Sequence, residues 1–254
     1  LVPLLNIVFN VPYNIAIGSS LLQMVGTSTA STLKHRGYGN IDYKLAGLIV
    51  MGSILGVELG ARTLMLLKNL GSITINTSDI SIMDFWISII YIILLSLVGV
   101  SMFLESKKAQ KRAPQGGVVK TLISQKIHSI KIPPIITLPI SKIEHISVWN
   151  LIFIGFGVGI LSGLLGVGGG FIMSPTLIYV LGVPTSLAIG TGLFQIIFTS
   201  AYGAITHLLK GNIDFKLVVC ILTGSIIGSQ LGARIHNNIR GAHVRYYFSL
   251  LIFF

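Results

Sequence analysis

Three consecutive glycines, Gly168-Gly169-Gly170, follow Gly166-Val167 and lead into Phe171 and then Pro175. Residues without a Cβ let the backbone approach a ligand closely, and successive amide N–H groups that open a helix make a site for an anion. The competing reading is close packing of helices through small residues. Three glycines in a row break a helix more than packing requires, which favours the ligand reading. No Lys-Ser or Lys-Thr follows them, so this is not a phosphate-binding P-loop. A second constellation is polar and occurs twice: Gln23, Thr27 and Ser28, then Gln195, Thr199 and Ser200, spaced i, i+4, i+5 in otherwise apolar stretches. On a helix each trio falls on roughly one face and offers neutral donors to a shared interior. Interhelical hydrogen bonds, worth about 0.6 kcal/mol each, explain the Thr and Ser residues equally well. The two glutamines at one repeated position point to a neutral-donor site for a small anion.

His35 and His207 end these stretches, and Asp42 and Asp214 follow seven residues later. Ionisable groups at or within a membrane serve transporters as proton relays. His-x-x-x-Gly-Asn-Ile-Asp also reads as a turn into the next helix, with Asp42 and Asp214 as its caps. The sequence leaves both readings open. Glu58 has Arg62 at i+4, the spacing of a structural ion pair, with proton binding as the alternative, and Gln230 occupies the matching place. Arg62 and Arg234 either face an anion or snorkel from helix ends. Catalysis has no support: Gly159-Ile160-Leu161-Ser162-Gly163 is one residue too long for a rhomboid-like Gly-x-Ser-Gly, and no His-Glu-x-x-His occurs. Nothing sets a nucleophile beside a base, and no metal or cofactor is expected.

These residues need a scaffold, and composition says which kind. The 254 residues are 52% hydrophobic and 10% charged, with mean hydropathy +0.86; ordinary soluble domains run at about 45–50% and 25%. Several apolar runs approach the roughly 20 residues that cross a bilayer as a helix, so the fold class is an all-α, polytopic membrane helix bundle. The net charge of +11 would raise nucleic-acid binding in a soluble chain. Here Lys107, Lys108, Lys111, Arg112, Lys120, Lys126, Lys131 and Lys142 lie in one connector between apolar segments, the pattern of a cytoplasmic loop, and nucleic acid is excluded as a partner. Cys220 is the sole cysteine, so there is no disulfide framework.

The chain is duplicated. Shifted by 172 positions, Pro3–Arg62 aligns without a gap on Pro175–Arg234, with 28 of 60 residues identical. Expected spans are Leu1–Phe9 in part, Ile15–Leu33, Leu45–Leu67, Phe85–Leu104, Trp149–Leu165, the short Phe171–Leu181, Ala188–Leu209, Leu217–Ile235 and Tyr246 onward. The expected organisation is a first membrane repeat over 1–104, a basic cytoplasmic connector over 105–147 with a short extended piece near its end, and a second repeat over 148–254. The second copy opens with Trp149–Leu165 and the glycine loop. The first has no such lead-in, and both ends read as cut, about thirty residues short at the start if the halves are alike. Basic residues swap sides between the copies if Phe171–Leu181 crosses the membrane, which gives inverted repeats with broken helices; if it is re-entrant the repeats run parallel.

The run Gly163–Pro175, with Ala188-Ile189-Gly190-Thr191-Gly192-Leu193-Phe194-Gln195-Ile196-Ile197, His207 and Gly211-Asn212-Ile213-Asp214, closely resembles the TauE/SafE sulfite exporter family. The resemblance covers essentially the whole chain outside the connector and departs from the family pattern at Gly192, where Ser often follows the Thr. It implies a permease of the bacterial inner membrane with two homologous halves, moving sulfite, sulfonates or related small anions by ion-coupled secondary transport. Gly168, Gly169, Gly170, Thr191, Gln195, Thr199, Ser200, Gln23, Thr27 and Ser28 are then the expected substrate-binding residues, and His35, His207, Asp42 and Asp214 the expected proton-coupling ones. The expected partners are a small anionic substrate and membrane lipids, with a homo-oligomer left open. A passive anion channel and a non-transporting membrane scaffold are the alternatives.

Overall fold

The computed structural model describes residues 1–69, 71–75, 78–111, 124, 127 and 132–238. Tyr246 onward, Arg240, Arg245 and nearly all of the connector from Arg112 to Lys131 lie outside the described residues. Helix α1 covers Val2–Phe9, α2 Tyr13–Gly37, α3 Tyr43–Asn69, α4 Ile82–Lys111, α5 Val148–Leu165, α6 Gly170–Pro175, α7 Thr185–Leu208 and α8 Phe215–Asn238. Pro12 and Pro184 sit at the starts of α2 and α7 with φ of −54° and −55°, the value the ring imposes and one that suits a helix start. Between Leu165 and Gly170 the chain is not helical, as the glycines require. Pro175 lacks the N–H that would continue α6, and the segment proceeds as a π-helical turn over Thr176–Val180.

Among the described residues, five helices are long and apolar enough to cross a membrane: α3, the Ile82–Ser101 part of α4, α5, α7 and the Phe215–Gly232 part of α8. Helix α2 has the length, but its Ser, Thr, Asn and Gln side chains lower its hydropathy. Most of them are buried against protein, and Asn14, Ser19 and Gln23 among them are hydrogen-bonded, which offsets their desolvation. Apolar side chains such as Ile92, Ile93 and Leu97 on α4 are exposed, as suits a lipid-facing surface.

Two antiparallel hairpins supplement the helices, β1 (Ser72–Ile75) with β2 (Ser78–Ser81) and β3 (Ile135–Leu138) with β4 (Ile143–Ser147). The extended piece expected at the end of the connector is thus one strand of a hairpin. Its Leu138, Ile143 and Ile146 are buried among Leu45, Ile49, Leu177 and Leu181. A second apolar cluster, including Tyr13, Ile17, Leu64, Ile87 and Leu165, fills the other end of the molecule.

Helices α3 and α5 run parallel with their backbones touching. A Cβ on Gly52, Gly56 or Gly60 would lie 1.9, 2.2 or 2.3 Å from the carbonyl oxygens of Ile152, Phe156 and Ile160. Across the same seam, Cβ atoms on Gly155, Gly159 and Gly163 would meet the carbonyl oxygens of Ile49, Ser53 and Val57 at 2.2 to 2.3 Å. Without a driving force to hide apolar surface from lipid, such close approach is what holds membrane helices together.

Helices α2 and α7 pack antiparallel, and contacts 172 positions apart are reciprocal. Gly18 on α2 lies against the Asn212 carbonyl, while Gly190 on α7 lies against the Asn40 carbonyl. The Asp214 N–H donates to Ser19 Oγ at 2.9 Å, and the Asp42 N–H donates to Thr191 Oγ1 at 3.0 Å.

Candidate functional site

The glycine turn lies between the two apolar clusters, with Leu165 in one and Ile172 in the other. Helix α5 ends with Gly166 in the left-handed region, its N–H bonded to the Ser162 carbonyl at 2.8 Å. Gly168 and Gly169 follow at φ of 58° and 80°, a conformation L side chains rarely adopt. A Cβ on Gly168 would also sit 2.4 Å from Ser200 Oγ and 2.6 Å from Met24 Sδ, so the turn is glycine for two reasons.

Helix α7 presents Gln195, Thr199 and Ser200 to this turn. Thr199 Oγ1 donates to the Gly168 carbonyl at 3.2 Å, tying helix to turn. Gln195 Nε2 donates to Ser53 Oγ on α3 at 3.0 Å. A Cβ on Gly169 would lie 3.1 Å from Val158 Cγ1 and 3.9 Å from Gln195 Oε1. All three α7 side chains are buried, yet Gln195 Oε1 and Ser200 Oγ have no hydrogen-bond partner among the described residues, and neither has Ser162 Oγ at the end of α5. An unmatched buried polar group costs about 1–3 kcal/mol, and two of them flank this one glycine turn. These side chains carry no charge. The set can give a hydroxyl proton to an oxyanion and accept a proton from it, but it supplies no fixed cation.

The family model for the sulfite exporter TauE/SafE matches residues 1–254. This chain belongs to the TauE/SafE family. Among curated relatives, a "Probable membrane transporter protein YunE" of Bacillus subtilis is 29% identical over 226 residues, covering 89% of this chain and 73% of the relative. Another from the same organism, "Probable membrane transporter protein YdhB", is 25% identical across 93% of this chain and 80% of its own length. A third, "Sulfite exporter TauE/SafE family protein 3" of Arabidopsis thaliana, is 33% identical over 100 residues, 39% of this chain and 20% of the relative. No solved structure matches the chain. The TauE/SafE family is one of membrane transporters, in keeping with the five membrane-capable helices.

Within this TauE/SafE chain, the structure gathers Gly168, Gly169, Gly170, Gln195, Thr199 and Ser200 in one place. Thr191 is not with them: its hydroxyl accepts the Asp42 N–H at the start of α3. Gln23 donates to Thr27 one turn along its own helix, and Ser28 is buried on α2. Asp42 Oδ1 accepts the Lys44 and Leu45 N–H groups, Asp214 Oδ1 those of Lys216 and Leu217, so both carboxylates have capping geometry. Asp42 Oδ2 in addition accepts the Ser141 hydroxyl at 2.7 Å. His35 and His207 are buried at the ends of α2 and α7, and each carbonyl anchors the following turn by accepting two N–H groups. Sequence reasoning missed Ser53 and Met24. Ser53 carried a usable signal: it stands 172 positions before Ser225, in step with the repeated glutamines.

Proposed function

We propose that this TauE/SafE member is an ion-coupled secondary transporter of small sulfur oxyanions, sulfite first among them and sulfonates next, in the bacterial inner membrane with its connector in the cytoplasm. The observation that carries the substrate reading is the pair of unmatched groups at the glycine turn. Ser200 Oγ is free to donate and Gln195 Oε1 to accept. Hydrogen sulfite has both an acceptor oxygen and an acidic proton, the chemical complement of these two groups. A singly charged anion held by neutral dipoles also escapes again readily, as turnover requires.

The antiparallel setting of α2 and α7 supports inverted repeats. Corresponding helices that run in opposite directions are related by an axis in the membrane plane, the arrangement suited to alternating access. In this reading Gln23, Thr27 and Ser28 form the matching half of the pathway. His35 and His207, buried at opposite ends of the antiparallel pair, are the carriers of a coupling proton, while Asp42 and Asp214 hold turns.

Radiolabelled sulfite flux into proteoliposomes, with and without a pH gradient, tests this reading. Saturable, gradient-dependent flux is expected, falling by about tenfold or more in Gln195→Ala and in Ser200→Ala. Linear, gradient-independent flux would make the protein a channel. Absence of flux with both sulfite and a simple sulfonate would overturn the substrate class.

A further inference from the structure

We propose that the cleft between the start of α3 and the β3–β4 hairpin binds an anionic phospholipid, with its phosphate on Lys44 and an acyl chain laid along α3. The cleft has a volume of about 540 Å³ and is lined by Tyr43, Lys44, Gly47 and Leu48 on the α3 side and by Ile136 and Thr137 on the β3 side. Its size is that of a ligand pocket, about 300–1,000 Å³. One charged group stands among mostly apolar walls. Lys44 is exposed and, among the described residues, its ammonium makes no ion pair. The nearby Asp42 carboxylate is buried and engaged elsewhere, Oδ1 with the Lys44 and Leu45 N–H groups and Oδ2 with the Ser141 hydroxyl. Those bonds cap the helix, so an anion here is recognised by the lysine side chain and not by bare amides. Lys142, exposed in the hairpin turn, adds positive charge at this end of the molecule, whereas Glu144, the acidic residue of the hairpin, does not line the cleft.

The depth of the cleft identifies the anion as a lipid headgroup. Tyr43 and Trp149 stand in the first turns of α3 and α5, two parallel membrane-capable helices, and both are half exposed, as aromatic side chains at a membrane–water boundary are. Lys44, next to Tyr43, therefore lies at headgroup level, where basic side chains attract anionic lipids. From Gly47 an apolar path continues down the same face of α3 through Met51 and Leu55, 59% and 64% exposed. A Cβ on Gly47 would meet nothing within 4 Å among the described residues, so the floor of the cleft is open to a chain. The Tyr43 ring packs edge-on against Phe194 of α7 at 5.0 Å, which fixes the cleft's outer wall. A soluble anion would engage Lys44 and leave the apolar path bare; a phospholipid fills both.

Thermal unfolding of the detergent-solubilised protein, titrated with phosphatidylglycerol, tests this. Phosphatidylglycerol is expected to raise the midpoint saturably. Phosphatidylcholine of the same chains, sn-glycerol 3-phosphate and sulfite are each expected to leave it in place. The concentration for half-maximal stabilisation is expected to rise about fivefold in Lys44→Ala, the worth of one lysine at an anionic surface, and to stay put in Lys216→Ala, in the first turn of α8 and outside the cleft. Gly47→Leu leaves the charge intact and fills the floor, and it is expected to weaken the effect at least as much. Equal stabilisation by phosphatidylcholine would remove the charge selection, and stabilisation by glycerol phosphate or sulfite would make the ligand a soluble anion. Either result overturns the proposal. So does a loss in Lys216→Ala as large as that in Lys44→Ala, or an undiminished response in Gly47→Leu.

Discussion

The Gln195 amide on α7 and the Ser53 hydroxyl on α3, 142 positions apart in the chain, meet at 3.0 Å. Ser53 meanwhile donates to the Ile49 carbonyl at 2.8 Å, which turns its lone pairs toward Gln195 and fixes the amide beside the glycine turn. Ser53→Ala removes the acceptor and leaves Gln195 Nε2 with only a long contact to Thr199, at 3.4 Å. The apparent KM for sulfite is expected to rise by about tenfold with maximal flux less affected, since one buried partner is lost and the reacting geometry is not. Concentration-dependent flux in proteoliposomes measures it.

The glycine seams give a matched pair of substitutions. A methyl on Gly56 would lie 2.2 Å from the Phe156 carbonyl oxygen, so Gly56→Ala must push α3 and α5 apart, at a cost of about 1–3 kcal/mol. The same change at Gly228 on α8 meets no atom of the described residues within 4 Å, and alanine is the better helix former by up to about 1 kcal/mol. Thermal unfolding in detergent is expected to show a lowered midpoint for Gly56→Ala and an unchanged or raised one for Gly228→Ala. Equal effects would remove the distinction between an occupied and an open seam.

Membrane class, helix positions, the broken segment at Gly166–Gly170 and the convergence of Gln195, Thr199 and Ser200 on it were legible because each depends on local signals: apolar runs, φ requirements and helical spacing. Thr191 shows where local spacing ends. It shares a face with Gln195 one turn on, but it lies in the second turn of α7, where the Gly39–Asp42 turn crosses, and the Asp42 N–H claims it. The α3–α5 seam was missed for a similar reason. Its six glycines look unremarkable one by one, and only their four-residue period on two helices far apart in sequence declares a contact. The β3–β4 hairpin could not be foreseen, since its stability comes from the buried environment of Leu138, Ile143 and Ile146 more than from its own turn.

Asp42 and Asp214 cap their helices alike but differ in surroundings. Asp42 is buried beneath the β3–β4 hairpin and bonded to Ser141, itself fully buried, whereas Asp214 is exposed. Asp214→Ala is expected to cost about 1 kcal/mol, the worth of a cap. Asp42→Ala loses the cap and also strands the Ser141 hydroxyl, a further 1–3 kcal/mol or about that. Hydrogen exchange localises the difference: amides of Ile143–Ser147 are expected to exchange faster in Asp42→Ala and at the native rate in Asp214→Ala. Unchanged hairpin exchange in both would show that Ser141–Asp42 does not hold the hairpin.

Glu58 is the remaining carboxylate on α3, and its contacts argue for a structural part. Its side chain pairs with Arg62 at 2.7 Å, but the two are 31% and 70% exposed, a setting in which ion pairs contribute about 0–1 kcal/mol. Its other oxygen accepts the Tyr202 hydroxyl, a bond the Oε1 of a glutamine can accept as well. Gln230, at the matching place on α8, already makes the interhelical bond without a charge. Glu58→Gln is therefore expected to fold normally and to keep its sulfite flux, with the full response to a pH gradient, within about twofold of the parent. Retained flux that no longer responds to the gradient would instead identify Glu58 as the group that carries the coupling proton, and would displace His35 and His207 from that role.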